Sequence, residues 1–175
     1  MASGLDFEGV VARYYEPLYK FAFSLSRAED EACDLTQQTF YVWAAKGHQL
    51  RDQTKVKTWL FTTLHRQFLE SRRRQTRFPH HELDEVEFEL PSVTPGFADR
   101  LDGAVVLRAL SQVDEIYQAA VALFYLEDYA YKEVAEILDV PLGTVKSRIA
   151  RGIAQLQKLL AVDISAAGPS ETQNP

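Results

Sequence analysis

Apolar residues recur at intervals of three and four along most of the chain and strand-like alternation is scarce, so the pattern predicts an all-α protein. Phe7, Val10, Val11, Tyr14, Tyr15, Leu18, Phe21, Ala22 and Leu25 give a first helix with a wide apolar face, ending near Ser26. A second helix is expected from about Glu29 to Ala45 on Leu35, Phe40, Val42 and Trp43, closed by Gly47. The next segment, HQLRDQTK, has turn-forming polar residues and no period. A third helix, from about Val56 to Arg74, carries Val56, Trp59, Leu60, Thr63, Leu64 and Phe68 on one side and an arginine cluster at its far end. These stripes can bury one another, which predicts one small helical domain over residues 5–77.

Over residues 78–98 the helical period stops, and Pro79, Pro91, Pro95 and many acids mark a linker, extended at least in part. About twenty residues at ~3.3 Å each reach up to ~65 Å, more than the ~34 Å of one turn of DNA. Helix resumes near Asp99 on Leu101, Val105, Leu107 and Leu110, and Asp114 reads as the cap of a further helix ending near Leu126. From Tyr131 to Leu160 the string YKEVAEILDVPLGTVKSRIARGIAQLQKLL reads as two helices and a tight turn. Val134, Ala135, Ile137 and Leu138 form one apolar face; Pro141 and Gly143 interrupt it. Thr144 reads as the next N-cap, before a stripe of Val145, Ile149, Gly152, Ile153, Leu156, Leu159 and Leu160. A second, four-helix domain is therefore expected over residues 99–162, followed by a polar, loose tail at 163–175.

That last helix pair is the pattern of a helix-turn-helix, whose second helix enters the major groove. Lys146, Ser147, Arg148 and Arg151 are left facing outward, and no acid lies between Thr144 and Ala161. The positive field is strongest at the end with free backbone donors.

The net charge of -6 argues against nucleic acid until its distribution is considered. From His65 to Arg77 five arginines face Glu70 alone, and from Thr144 to Leu160 Lys146, Arg148, Arg151 and Lys158 are unopposed. Between them, from Phe78 to Asp102, seven acids face only Arg100. Two separate cationic surfaces can touch one polyanion while the acidic middle avoids it or occupies a basic channel elsewhere.

A hydrophobic content of 46% suffices for folded cores. Nothing at the N-terminus suggests export and no apolar run is long enough to span a membrane, so no membrane insertion is expected and a cytoplasmic location is. Cys33 is the only cysteine, which excludes an internal disulfide and a cysteine-cluster metal site; it reads as a packing residue, with a reactive thiol as the alternative. His80, His81 and Glu82 lack the i, i+4 geometry that puts two ligands on one metal. No nucleophile, glycine-rich phosphate loop or carboxylate pair is placed for catalysis, so no enzyme activity, metal or cofactor is expected. A free-standing helix-turn-helix regulator would explain the C-terminal domain but leave the N-terminal one without a task.

Taken with the linker, the string DLTQQTFYVWAA followed by VKTWLFTTLHRQFLESRRR resembles region 2, and YLEDYAYKEVAEILDVPLGTVKSRIARG resembles region 4, of the extracytoplasmic-function (ECF) sigma factors of the sigma-70 family. The resemblance covers about Phe7 to Leu160. It implies an alternative sigma factor that binds core RNA polymerase through the β′ clamp helices and β flap and directs promoter-specific initiation. It also implies, for members controlled that way, an anti-sigma factor as partner. Carried over by position, polymerase contact falls on Asp34, Gln37, Gln38, Phe40 and Trp43; Phe40 and Trp43 have core packing as the competing role. Recognition and opening of the -10 element fall on a loop from His48 to Lys57, with Lys55 and Lys57 near the backbone, and on His65, Arg66, Glu70, Arg73 and Arg74. Trp59 is adjacent, but its spacing points it to the core. The -35 element falls to Thr144, Lys146, Ser147, Arg148 and Arg151. The acidic linker has two readings, an imitation of nucleic acid inside polymerase and a solvated tether. The sequence departs from the family pattern at His65 and Arg66, where an asparagine usually follows an arginine, at Ala130, where a serine cap is usual, and at Asp139, where the turn usually has glycine.

Overall fold

A computed structural model of the chain describes residues 6–75 and 103–166, with side chains as far as Val162. All regular structure among these residues is helical: α1 (Phe7–Ser26), α2 (Glu29–Lys46), two single 3-10 turns (Gly47–Gln49 and Gln53–Lys55), α3 (Val56–Gln75), α4 (Gly103–Ser111), α5 (Glu115–Leu126), α6 (Tyr131–Leu138) and α7 (Leu142–Ala166). The acidic linker, the helix onset near Asp99, the His80, His81 and Glu82 run and the end of the tail lie outside the described residues. α7 continues four residues into the segment expected to be loose.

The first three helices follow their apolar stripes. Leu18, Phe21 and Leu25 of α1 and Leu60, Phe61 and Leu64 of α3 are fully buried, and the Phe21 and Phe61 rings meet at 5.3 Å. α1 ends because Arg27 turns left-handed at φ 62° and its N–H returns to the Phe23 carbonyl, a closure more often made by glycine. Glu29, Asp30 and Glu31 in the first turn of α2, and Arg72, Arg73 and Arg74 in the last turn of α3, sit at the helix ends whose dipole each favours. Buried hydroxyls are satisfied locally, Thr36 to the Ala32 carbonyl and Thr39 to the Leu35 carbonyl, both at 2.7 Å. Cys33 is a half-buried member of α2.

Gly47 closes α2 for a reason other than the expected left-handed cap. Its φ is -58°, which any residue adopts, but a Cβ there would stand 2.7 Å from the Trp43 ring. Glycine is required by the aromatic ring rather than by the turn.

In the second half, α5 and α7 pack closely, burying Tyr117, Val121, Ile153 and Leu156, and α4 and α6 each pack on both of them. Asp114 precedes α5 as expected, but its carboxylate does not cap it. It accepts from Gln155 Nε2 at 2.7 Å, while the Asp114 N–H donates to Gln155 Oε1 at 2.9 Å, a two-way bond that fixes the start of α5 on α7.

The two halves do not stand apart as two tethered modules. α1 packs on α4 and α5, α3 packs on α6, and their buried apolar residues form one continuous cluster. Arg27 Nη2 donates to the Val113 carbonyl at 2.9 Å across this seam. The apolar faces of α1 and α3 thus continue past α2 onto helices of the second half.

Candidate nucleic-acid interface

The turn between α6 and α7 sets the direction of the outward-facing cations. Asp139 adopts the left-handed conformation at φ 54°, and the Val140 N–H reaches the Ala135 carbonyl at 3.2 Å, so α6 stops abruptly. Glycine would fit this backbone without strain. The Val145 N–H bonds to the Pro141 carbonyl at 3.2 Å, which starts α7 at Leu142 rather than at Thr144. Proline supplies a near-helical φ and lacks an N–H that a helix start would leave unpaired. Thr144 therefore lies inside the first turn and is not the cap.

At the other end of α6 the serine cap is absent. The Glu133 carboxylate accepts from the Ala130 N–H at 2.8 Å, which is half of a capping box. Ala130 has no side-chain acceptor, so the returning half cannot form.

Val145 and Ile149 anchor α7 over Val134, Ile137 and Leu138. Of the proposed upstream contacts, Lys146 is exposed, while Thr144, Ser147, Arg148 and Arg151 are half-buried. Arg148 is turned toward α3: burial lowers its pKa, and its buried Nε has no hydrogen-bond partner. Arg148 and His65 line a common cleft of about 660 Å³ between α3 and the α5–α6–α7 unit, which Arg66, Arg73, Glu115 and Asp139 also border.

His65 is only 8% exposed, so in this conformation its ring faces the cleft rather than solvent. Burial, reinforced by the charges of Arg148 and Arg66, holds its imidazole down at about 4 and therefore neutral. Arg66, Glu70, Arg73 and Arg74 are exposed on α3, as is Lys55 before it. Lys57 is different. Its Nζ lies 3.1 Å from Glu127 Oε2, donates to the Glu127 carbonyl at 3.2 Å and stands 4.8 Å from the centre of the Tyr129 ring. Burial pushes the Glu127 carboxyl up despite the pull of Lys57, and pushes the Tyr129 phenol well above its ordinary value.

Asp34, Gln37 and Gln38 share the exposed side of α2, next to a polar groove that also takes in Glu31, Gln67 and Arg74. Phe40 and Trp43 belong to the core, at 5% and 7% exposure, and Trp43 meets Trp59 edge-on at 5.2 Å. Of the two roles open to them, packing is the one this geometry displays. Among the described residues no cluster of histidine, cysteine, aspartate and glutamate is placed to hold a metal ion, and no helix is long and apolar enough to cross a membrane.

Residues 10–78 match the family model for sigma-70 region 2 and residues 104–156 that for sigma-70 region 4. The chain is 30% identical over 156 residues to the ECF RNA polymerase sigma factor EcfG of Rhodopseudomonas palustris, covering 89% of this chain and 86% of that protein. The chain belongs to the ECF group of the sigma-70 family. It is also 32% identical over 160 residues to the ECF RNA polymerase sigma factor SigE of Mycolicibacterium smegmatis, covering 89% of this chain but spanning only 62% of SigE. Among solved structures it is similar to the sigma factor RpoE of Bartonella quintana, crystallised with the anti-sigma factor NepR, at a TM-score of 0.69 and 30% identity over 91% of this chain and 99% of that one. Among the described residues, α1–α3 coincide with the region 2 match and α4–α7 with the region 4 match, α7 running on past it.

Region 4's grip on Lys57 has no local signal in the sequence: the partners of Glu127 and Arg27 are 70 and 86 residues away.

Proposed function

We propose that this chain is an alternative sigma factor that binds core RNA polymerase and directs initiation at promoters carrying a -35 and a -10 element. The single observation that carries the reading is the order of two sigma regions on one chain, with a cationic helix-turn-helix in the second. Region 2 takes the polymerase through the exposed polar side of α2, centred on Asp34, Gln37 and Gln38. Its Lys55, Lys57, Arg66, Glu70, Arg73 and Arg74 follow the opened -10 strand, with the arginines along its phosphates. His65 joins them only once the cleft has opened. Region 4 reads the -35 element through Thr144, Lys146, Ser147, Arg148 and Arg151; an arginine bridging a guanine discriminates by ~1–3 kcal/mol.

The chain works as a specificity factor and contributes no catalytic step of its own. An anti-sigma protein, as NepR is for RpoE, would be a fitting negative partner. The acidic linker would pass through polymerase as an imitation of nucleic acid.

The test mixes the purified chain with core polymerase and follows both by gel filtration, then by binding to fragmented genomic DNA. Co-elution and selective retention of a subset of fragments support the reading. A chain that stays separate from core contradicts it.

A further inference from the structure

Three contacts cross from region 2 to region 4 at one place: the Lys57 ammonium holds two oxygens of Glu127, it stands over the Tyr129 ring, and the Phe61 ring meets Tyr129 edge-on at 5.9 Å. The Glu127 side chain is only 9% exposed, so water and salt screen this ion pair less than an open surface pair. The same closure turns Arg148 into the cleft beside His65. A cleft of about 660 Å³ is the size of a small-ligand pocket and cannot admit a duplex. One cation assigned to the downstream element and one assigned to the upstream element are therefore both engaged within the protein.

We propose that Lys57, Glu127 and Tyr129 form a latch that closes region 4 over α3 in the free protein, with the Glu127 carboxylate occupying on Lys57 the place of a DNA phosphate. What the latch blocks rests on the functional reading above; that it closes does not. Closure leaves Asp34, Gln37 and Gln38 exposed, so polymerase can dock while the latch is shut. The DNA-reading surfaces come free only when region 4 is drawn away. The contact is built to release: it replaces one anion on a lysine by another and costs neither partner its hydrogen bonds once phosphate and water take over.

The test treats the full wild-type chain, without polymerase, with a zero-length carbodiimide that joins a carboxylate to an amine in direct contact. A peptide joining Lys57 to Glu127 is expected in the monomer. The cross-linked monomer is expected to bind duplex DNA about tenfold more weakly than untreated chain, while Lys57→Ala, which loses the same ammonium and its phosphate contact without tying the regions together, weakens binding by no more than about threefold. Glu127→Gln abolishes the cross-link and raises duplex affinity about fivefold, equivalent to ~1 kcal/mol for a partly screened pair. Absence of the Lys57–Glu127 cross-link overturns the latch, and so does a cross-linked chain that binds duplex as tightly as the untreated one. If Glu127→Gln does not fold, the wild-type cross-linking arm decides alone. Failure of the functional reading would show instead as lack of association with core polymerase, which none of these arms measures.

Discussion

Gly152 of α7 lies against Val121 of α5 so closely that a Cβ at position 152 would fall 2.2 Å from the valine Cγ2 and 3.0 Å from the Tyr117 Cβ. This close approach lets the two longest apolar stripes of region 4 meet, and it sets the position of the DNA-reading turn above them.

Gly152→Ala pits two effects against each other. In an open helix the change gains ~1 kcal/mol of helix propensity. Here the added methyl meets a fully buried valine on a neighbouring helix, and overpacking of a closed core costs ~1–3 kcal/mol. The clash wins, so equilibrium denaturation is expected to show net destabilisation of region 4. A midpoint equal to or above that of wild type would mean that α5 and α7 separate easily.

Ala130→Ser supplies the acceptor that α6 lacks, opposite the bond already made from the Ala130 N–H to Glu133. Completing the box is expected to add ~1 kcal/mol to stability in the same denaturation experiment, with duplex affinity unchanged because Ala130 is remote from the cations of α7.

His65 predicts how the closed form responds to acid. Its folded value of about 4 lies below the ordinary 6.5, so the unfolded or opened chain takes up a proton that the closed chain refuses. The contribution of the neutral ring to closure is complete above pH ~6.5 and is lost as pH falls toward ~4, with a loss of about 2 kcal/mol already at pH ~5. Burial, Arg148 and Arg66 all oppose protonation of the closed form. Denaturation midpoints between pH 7 and 5 are expected to fall in wild type and to fall less in His65→Phe.

Asp34 and Arg148 are expected to separate cleanly. Asp34→Ala should weaken association with core polymerase and leave duplex binding intact; Arg148→Ala should weaken duplex binding by about tenfold, within the ~1–3 kcal/mol of one bidentate base contact, and leave core association intact. Binding assays of both variants against both partners check this, and equal effects of both variants in both assays would dissolve the division of labour.

Much of the architecture can be read from the chain because local rules agree with the packing. The stripe from Phe7 to Leu25 gives α1 its observed bounds, and Val56 to Phe68 gives α3 its buried side. Structure departs from the sequence pattern where two local rules compete. Thr144 is a good cap, but Pro141 three residues earlier already fits a helix start, and the longer helix buries more of the stripe. Asp114 is also a good cap, yet a two-way bond to Gln155 on another helix outcompetes capping. The least legible feature is the seam between regions, since charge patterning shows that Lys57 and Glu127 are charged but not that they meet. His65 shows the same limit: the basic run it belongs to suggests an exposed DNA contact, while the fold places it under region 4.

Transcription reconstituted from core polymerase and this chain, with starts mapped across genomic DNA, tests the assignment most directly. A discrete set of starts is expected that share one sequence near -10 and another near -35, and that depend on Arg148 for the second. Starts identical to those of core alone, or starts with no common upstream sequence, would contradict it.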